Sequence, residues 1–156
     1  MSNESMAVVK ELTVEAVDDN LTRVIEFVDQ QIEKYHCSEV VQMTIEVAVE
    51  ELFLNIAHYA YDPDTGPATV QVTTEKNPLS VIITFIDEGV PYDPLARDEL
   101  DVEEAVRNLQ VGGFGIFMIK KSMDDVHYEY RDGKNILTIR RNFEDNFEYE
   151  GEYDED

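Results

Sequence analysis

Basic residues are scarce in this chain: 12 Lys and Arg stand against 35 Asp and Glu, a formal net charge of -23. A field of that sign repels nucleic acid phosphates and anionic membrane surfaces, so neither DNA, RNA nor a membrane is expected as a partner. A basic protein surface is the better match. Cysteine is nearly absent. The lone Cys37 excludes an intramolecular disulfide and fits a reducing compartment. No apolar run approaches the ~20 residues that span a bilayer. No N-terminal stretch joins basic residues to an apolar core, so a secretory signal is not expected either. These absences make a cytoplasmic location the simplest expectation.

What remains is ordinary for a soluble domain. The 156 residues are 43% hydrophobic, enough for one core. Residues Met6 to Val14 alternate loosely and predict an edge strand. Asp18 or Asp19 is positioned to cap a helix with Leu21, Val24, Ile25, Val28 and Ile32 on its inner stripe, running to about Tyr35. Ser38 can cap a second helix on Val41, Ile45, Ala48, Leu52 and Ile56, which ends near Tyr61 before the breaker cluster Asp62 to Pro67. Cys37 falls near that helix start, where a lowered thiol pKa is conceivable; a small residue in a helix connection is the plainer reading.

Thr69 to Thr74 and Leu79 to Ile86 read as strands joined by an Asn77-Pro78 turn. The second is almost wholly apolar, which predicts a central strand buried on both faces. A charged segment from Glu88 to Val111, with a short helix around Val102 to Leu109, leads to a glycine turn and a helix to about Met123. Val126 to Arg131 and Asn135 to Arg141 flank Asp132-Gly133, a preferred hairpin turn. The expected architecture is an α/β (α+β) two-layer sandwich, a mixed but mainly antiparallel sheet with helices on one face. Residues 1–143 form the folded domain. Residues 144–156 form an acidic tail that buries too little to fold alone.

Three motifs carry chemistry. Glu51, Asn55 and His58 fall at i, i+4 and i+7 and so share one helix face. An amide oxygen there suits Mg²⁺, and a carboxylate can deprotonate a hydroxyl. Asp87 ends the apolar strand, with Gly89 at the turn, placed to accept from an exocyclic amine. Gly112-Gly113-Phe114-Gly115 opens a helix whose free N–H groups favour phosphate. Taken singly, each has a bland explanation: a solvated helix face, a common strand-end turn, a flexible linker.

Taken in order, they resemble the GHKL ATPase superfamily, and within it the bacterial anti-sigma factor serine kinases. Glu51-x-x-x-Asn55 matches the N-box. Asp87-x-Gly89-x-Pro-Tyr-Asp-Pro94 matches the first glycine box, and the stretch from Gly112 to Asp124 matches the second. The resemblance implies ATP and Mg²⁺ as ligands, with Asn55 on the metal and Glu51 as general base. It implies Asp87 and Gly89 at adenine, and Gly112, Gly113, Phe114 and Gly115 at the phosphates. Arg23 resembles, loosely, an arginine presented to nucleotide or partner across a homodimer. The implied activity is serine/threonine phosphorylation of a small antagonist protein, coupled to binding of a sigma factor or similar regulator. A nucleotide-responsive binding module without catalysis stays open as the alternative. Those kinases usually carry a histidine four residues after the asparagine; here Tyr59 holds that place. A histidine kinase is not expected, because no phosphoacceptor histidine is suitably placed.

Overall fold

The computed structural model describes residues 8–96 and 114–144. Strand β1 (Lys10–Glu15) leads through a 3₁₀ turn at Asp18–Asn20 into α1 (Leu21–Ile32), and a second 3₁₀ turn follows at Glu33–Tyr35. Helix α2 (Glu39–Asn55) continues without a break into a π-helical turn, Ile56–Ala60. Strands β2 (Pro67–Glu75) and β3 (Ser80–Asp87) form a hairpin, and a 3₁₀ turn sits at Pro94–Ala96. Helix α3 (Phe114–Ser122) precedes the closing hairpin of β4 (Asp125–Arg131) and β5 (Lys134–Asn142). The sheet order is β1-β2-β3-β5-β4, with β1 at an edge and β3 at the centre. Every pairing among these strands is antiparallel, so the sheet has no mixed part in the described residues.

Local chemistry sets the boundaries. Ser38 caps α2 as expected, its Oγ accepting from the Val41 N–H at 3.1 Å. Asp18 and Asp19 do not cap α1. Asn20 occupies the cap position and makes no capping bond; its side chain donates instead to the Glu15 carbonyl at 2.8 Å, which ties the helix entry to β1. Asp132 and Gly133 both have positive φ, 54° and 79°, as a tight hairpin turn of primed type requires.

The core lies between one sheet face and the helices. From α1 come Val24, Val28 and Ile32, and from α2 come Val41, Ile45, Val49 and Phe53. The sheet offers Val70, Val72, Ile83, Phe85 and Ile139, and α3 adds Ile116 and Ile119. Removing one such aliphatic side chain, as in Ile83→Ala, costs about 2–5 kcal/mol. β3 is central but not buried on both faces. Val81, Ile83, Phe85 and Asp87 are buried, whereas Ile82, Thr84 and Ile86 are half-buried. Among the described residues, helices cover one side only. The other is screened by cross-strand pairs such as Thr84 with Thr138 (3.2 Å) and Thr13 with Thr69 (2.7 Å).

The expected helix at Val102 to Leu109 and the acidic tail beyond Glu144 lie outside the described residues. The last described turn is anchored: the Phe143 N–H donates to the Leu79 carbonyl at 2.9 Å, and its ring stacks on Tyr35 at 5.4 Å. Cys37 is half-buried, and burial pushes its thiol up rather than down, against the lowered pKa a helix start can give. Among the described residues no helix is long and apolar enough to cross a membrane.

One polar feature works against the helix packing. Asp29 of α1 faces Glu46 and Gln42 of α2, and its Oδ1 is buried without a hydrogen-bond donor. Gln42 instead donates to Glu46 at 3.3 Å. Burial first, then the adjoining Glu46 and the nearby Glu26, push the Asp29 carboxyl from its ordinary value up to about 7, against a smaller opposing effect of Gln42. The folded chain thus keeps a proton that the unfolded chain releases. The stability this group contributes is fully present below its ordinary pKa and is lost as pH rises through about 7. Asp29→Asn keeps the neutral form at every pH. The variant's urea midpoint is expected to pull ahead of the parent's as pH rises from 4 to about 7 and to hold that lead above it. A constant gap across that range would show that Asp29 does not retain the proton.

Candidate functional site

Between the helix layer and the sheet lies a cleft of about 570 Å³. Its helix side is built by Glu51, Leu52 and Asn55 of α2 and by Ile56, Tyr59 and Ala60 of the π turn. Its sheet side comprises Phe85 and Asp87 of β3, Tyr128 of β4, and Asn135 and Leu137 of β5. Val90, Pro91, Tyr92 and Pro94 line its rim, and Ile116 of α3 closes one end. An apolar slot with a few convergent polar groups is the usual form of a small-molecule site.

Asp87 sits at the floor. It is the last residue of β3 and only 6% exposed. Its Oδ1 accepts from the Gly89 N–H at 2.8 Å and from Asn135 Nδ2 at 2.9 Å. Among the described residues Oδ2 accepts no bond. Burial raises the carboxyl pKa, and the Asn135 and Gly89 donors oppose that rise by favouring the ionised form.

Asn135 is the functional residue that sequence reasoning misses. It lies directly opposite Asp87 in the β3–β5 register, so both side chains emerge on one face. Its Nδ2 also donates to the Val90 carbonyl at 2.9 Å, and its Oδ1 accepts from the Tyr92 N–H at 3.1 Å and from the Tyr128 hydroxyl. One amide therefore fixes Asp87, the rim loop at Val90 and Tyr92, and β4. A signal was available: an asparagine two residues beyond a tight hairpin turn, on a strand otherwise alternating apolar residues inward.

Gly89 is required by close approach. A Cβ there would overlap the Ala60 carbonyl, which is backbone and cannot rotate away. That carbonyl accepts from the Val90 N–H at 3.1 Å. Tyr61 reinforces the junction. Its hydroxyl donates to the Pro67 carbonyl at 2.6 Å and accepts from the Glu88 N–H at 2.7 Å, joining the end of the π turn to β2 and β3.

Glu51 and Asn55 both line the cleft, one helical turn apart. Gly115, in the first turn of α3, packs against Glu51 so closely that a Cβ would overlap its carboxyl group. The second glycine motif thus meets the first motif's carboxylate in space. Gly112 and Gly113 lie outside the described residues, and Phe114 is placed only as the first residue of α3. Arg23 is exposed on α1 and does not line the cleft.

His58 does not share the Glu51–Asn55 face. It points away and bonds Asp18 at 2.8 Å, while Tyr59 lines the cleft. The π turn is the reason. An α-helix advances about 100° per residue, and the wider π turn advances less. Three residues beyond Asn55, His58 has fallen off the face, and Tyr59 has come onto it.

Asn135→Ala should leave Asp87, Val90 and Tyr92 without their shared partner. Equilibrium urea unfolding is expected to show a loss of about 1–3 kcal/mol, the cost of orphaning buried polar groups. Amide exchange at Val90 and Tyr92 should accelerate more than exchange in the core of β2. A uniform acceleration, or none, would mean that the amide does not hold the rim.

Comparison with known proteins agrees with this geometry. The profile of the histidine kinase-like ATPase domain matches residues 14–141. The chain is 28% identical to the serine/threonine-protein kinase BtrW of Bordetella bronchiseptica over 98 residues, 63% of this chain and 68% of that one. It is 27% identical to the serine-protein kinase RsbW of Bacillus thuringiensis over 100 residues, 62% of this chain and 61% of that one. The chain therefore spans roughly two thirds or less of the length of these curated relatives. Among solved structures, the SiaB-SiaC complex from Pseudomonas aeruginosa superposes with a TM-score of 0.54 at 16% identity, covering 83% of this chain and 88% of that one, which is a likeness of fold. The matched residues run from the end of β1 to the end of β5 and take in both walls of the cleft, and on that match the chain belongs to the histidine kinase-like ATPase domain family.

Proposed function

We propose that this chain is an ATP-dependent protein serine/threonine kinase that phosphorylates a small antagonist protein and switches its hold on a regulator of the sigma-factor type. The observation that carries the proposal is the meeting of Glu51, Asn55 and Gly115 at one end of a cleft whose floor is a buried aspartate. A pure binding site has no need of a carboxylate held at the phosphate end. The likeness to the serine/threonine-protein kinase BtrW and the serine-protein kinase RsbW supports the same reading.

Asp87 offers Oδ2 to the exocyclic amine of adenine, and Phe85, Ile56 and Leu137 sandwich the base. Phe114 and Gly115 at the α3 N-terminus, with Gly112 and Gly113 just before them in sequence, are assigned to the phosphates. The donor set fits Mg²⁺, an ion usually held by few protein ligands: Asn55 would offer it one hard amide oxygen. When bound, Mg²⁺ would supply neutralisation of the negative charge on the nucleotide's phosphates. No group of three or more His, Cys, Asp or Glu able to hold a metal on its own occurs among the described residues.

Glu51 accepts the proton of the incoming hydroxyl. That oxygen then bonds to the γ-phosphorus as the bond to the β,γ-bridging oxygen breaks, and ADP leaves. Arg23, exposed on α1, is assigned to partner contact, across a homodimer if one forms. Residues 1–143 serve as the catalytic unit and 144–156 as a solubilising acidic tail, in a cytoplasmic protein.

Glu51→Gln is expected to leave ATP affinity by calorimetry nearly unchanged and to lower phosphoryl transfer by about 10²–10⁴-fold, the usual cost of a lost general base. Asn55→Ala should damage both. Transfer is read as the mass gain of a candidate antagonist incubated with Mg-ATP. Loss of ATP binding in Glu51→Gln would move Glu51 from the chemistry to the binding site.

Gly115→Ala offers a second route to the same conclusion. The added methyl would overlap the Glu51 side chain from Cγ to the carboxyl group, so the carboxylate is pushed aside, and circular dichroism checks that the fold is kept. Transfer should fall toward the Glu51→Gln level. Full activity in Gly115→Ala would show that the carboxylate's position is not critical.

A further inference from the structure

Helix α2 carries more apolar surface than the core uses. Its inner side packs Val41, Ile45, Val49 and Phe53, all fully buried. Its outer side carries Val40, Met43 and Val47, which are 56%, 61% and 52% exposed. The spacing of three and four residues places them in one line. Single exposed aliphatics are commonplace, but three in register on one helix form a patch, and a helix apolar on both sides is expected to be covered on both.

The surroundings say what fits. Helix α2 holds four acids, Glu39, Glu46, Glu50 and Glu51, and no Lys or Arg. By helix periodicity the exposed Glu39 and Glu50 run along one flank of the stripe and Glu51 stands on the other, while Glu46 is turned toward Asp29 of α1. A second copy would oppose these glutamates to their own equivalents, between chains that each carry -23. The chain's own segment 144–156 is acidic and is repelled in the same way. Anionic lipid and nucleic acid fail on the same ground. We infer that the outer face of α2 docks a basic amphipathic helix of a partner protein, its apolar ridge on Val40, Met43 and Val47 and its Lys and Arg against the exposed Glu39 and Glu50. The stripe is about 10 Å long, two turns of a partner helix with anchors at i, i+3 or i+4, and i+7. The inference does not depend on the kinase reading, since no stripe residue lines the cleft.

The test uses the full chain and a fluorescein-labelled helical peptide of leucine and lysine, with leucines at i, i+3, i+4 and i+7. A scrambled peptide of the same composition serves as control. Anisotropy titration is expected to show saturable binding, weakened about ten-fold by Met43→Gln/Val47→Thr and by Glu39→Gln/Glu50→Gln. Scrambling should weaken it to a similar extent. All the substituted positions are exposed, so circular dichroism and ATP affinity should match the parent. Val40→Gln alone gives the same reading should the double variant unfold. Failure of the ordered peptide to bind would overturn the inference. So would unchanged affinity in the stripe variants, or equal binding of the scrambled peptide, which would reduce the effect to bulk charge. Sedimentation showing a dimer of the parent that the stripe variant loses would assign the face to a second copy and overturn it too.

Discussion

The cleft depends on one buried hydrogen-bonded pair, Asp87 with Asn135. A carboxylate at 6% exposure is costly unless its charge is answered. Here it is answered by an amide on the neighbouring strand and by the N–H of a glycine two residues on. The same amide then reaches Val90, Tyr92 and Tyr128. Loop, strand end and hairpin are thereby locked to a single group, and the rim of the site is set before any ligand arrives. A buried polar network of this sort rigidifies the groups it joins, and Oδ2 of Asp87 is the acceptor it leaves open.

Around that pair, close backbone approach does the positioning. Gly89 lets the β3 turn touch Ala60, Tyr61 clamps the same junction from the side, and Gly115 lets α3 come down onto Glu51. Two of these contacts join the helix layer to the sheet or its loops, and the third joins one helix to another. The two walls of the cleft are therefore held at a fixed separation by positions where a side chain would not fit.

Much of this was legible in the sequence. The helical periodicity through Val41, Ile45 and Leu52, the Ser38 cap and the Asp132-Gly133 turn are local signals, and each appears where its chemistry places it. Asp87 at a strand end and the Glu51–Asn55 pair were readable because motif and secondary structure agree. What was not legible required tertiary knowledge. The burial of β3 on one face alone depends on which side the helices choose. The role of Asn135 depends on a register of 48 residues' separation. Asp18 reads as a helix cap until a histidine 40 residues away claims its carboxylate. His58 was misplaced because no sequence pattern announces that an α-helix will widen into a π turn.

That widened turn sets a reading frame. The face carrying Glu51 and Asn55 is continued by whichever residue the turn delivers, and the five residues Ile56–Ala60 deliver Tyr59. Removing one residue from the turn would let the helix close to its ordinary pitch. The core residues of α2 would keep their places, because they precede the change. The aromatic ring at the cleft mouth would be exchanged for another side chain, and the Ala60 carbonyl that Gly89 leans on would be drawn out of step. A one-residue indel between Ile56 and Ala60 is therefore a substitution of the site's lining in disguise, so insertions and deletions should be far less tolerated there than in the neighbouring Asp62 to Pro67 turn.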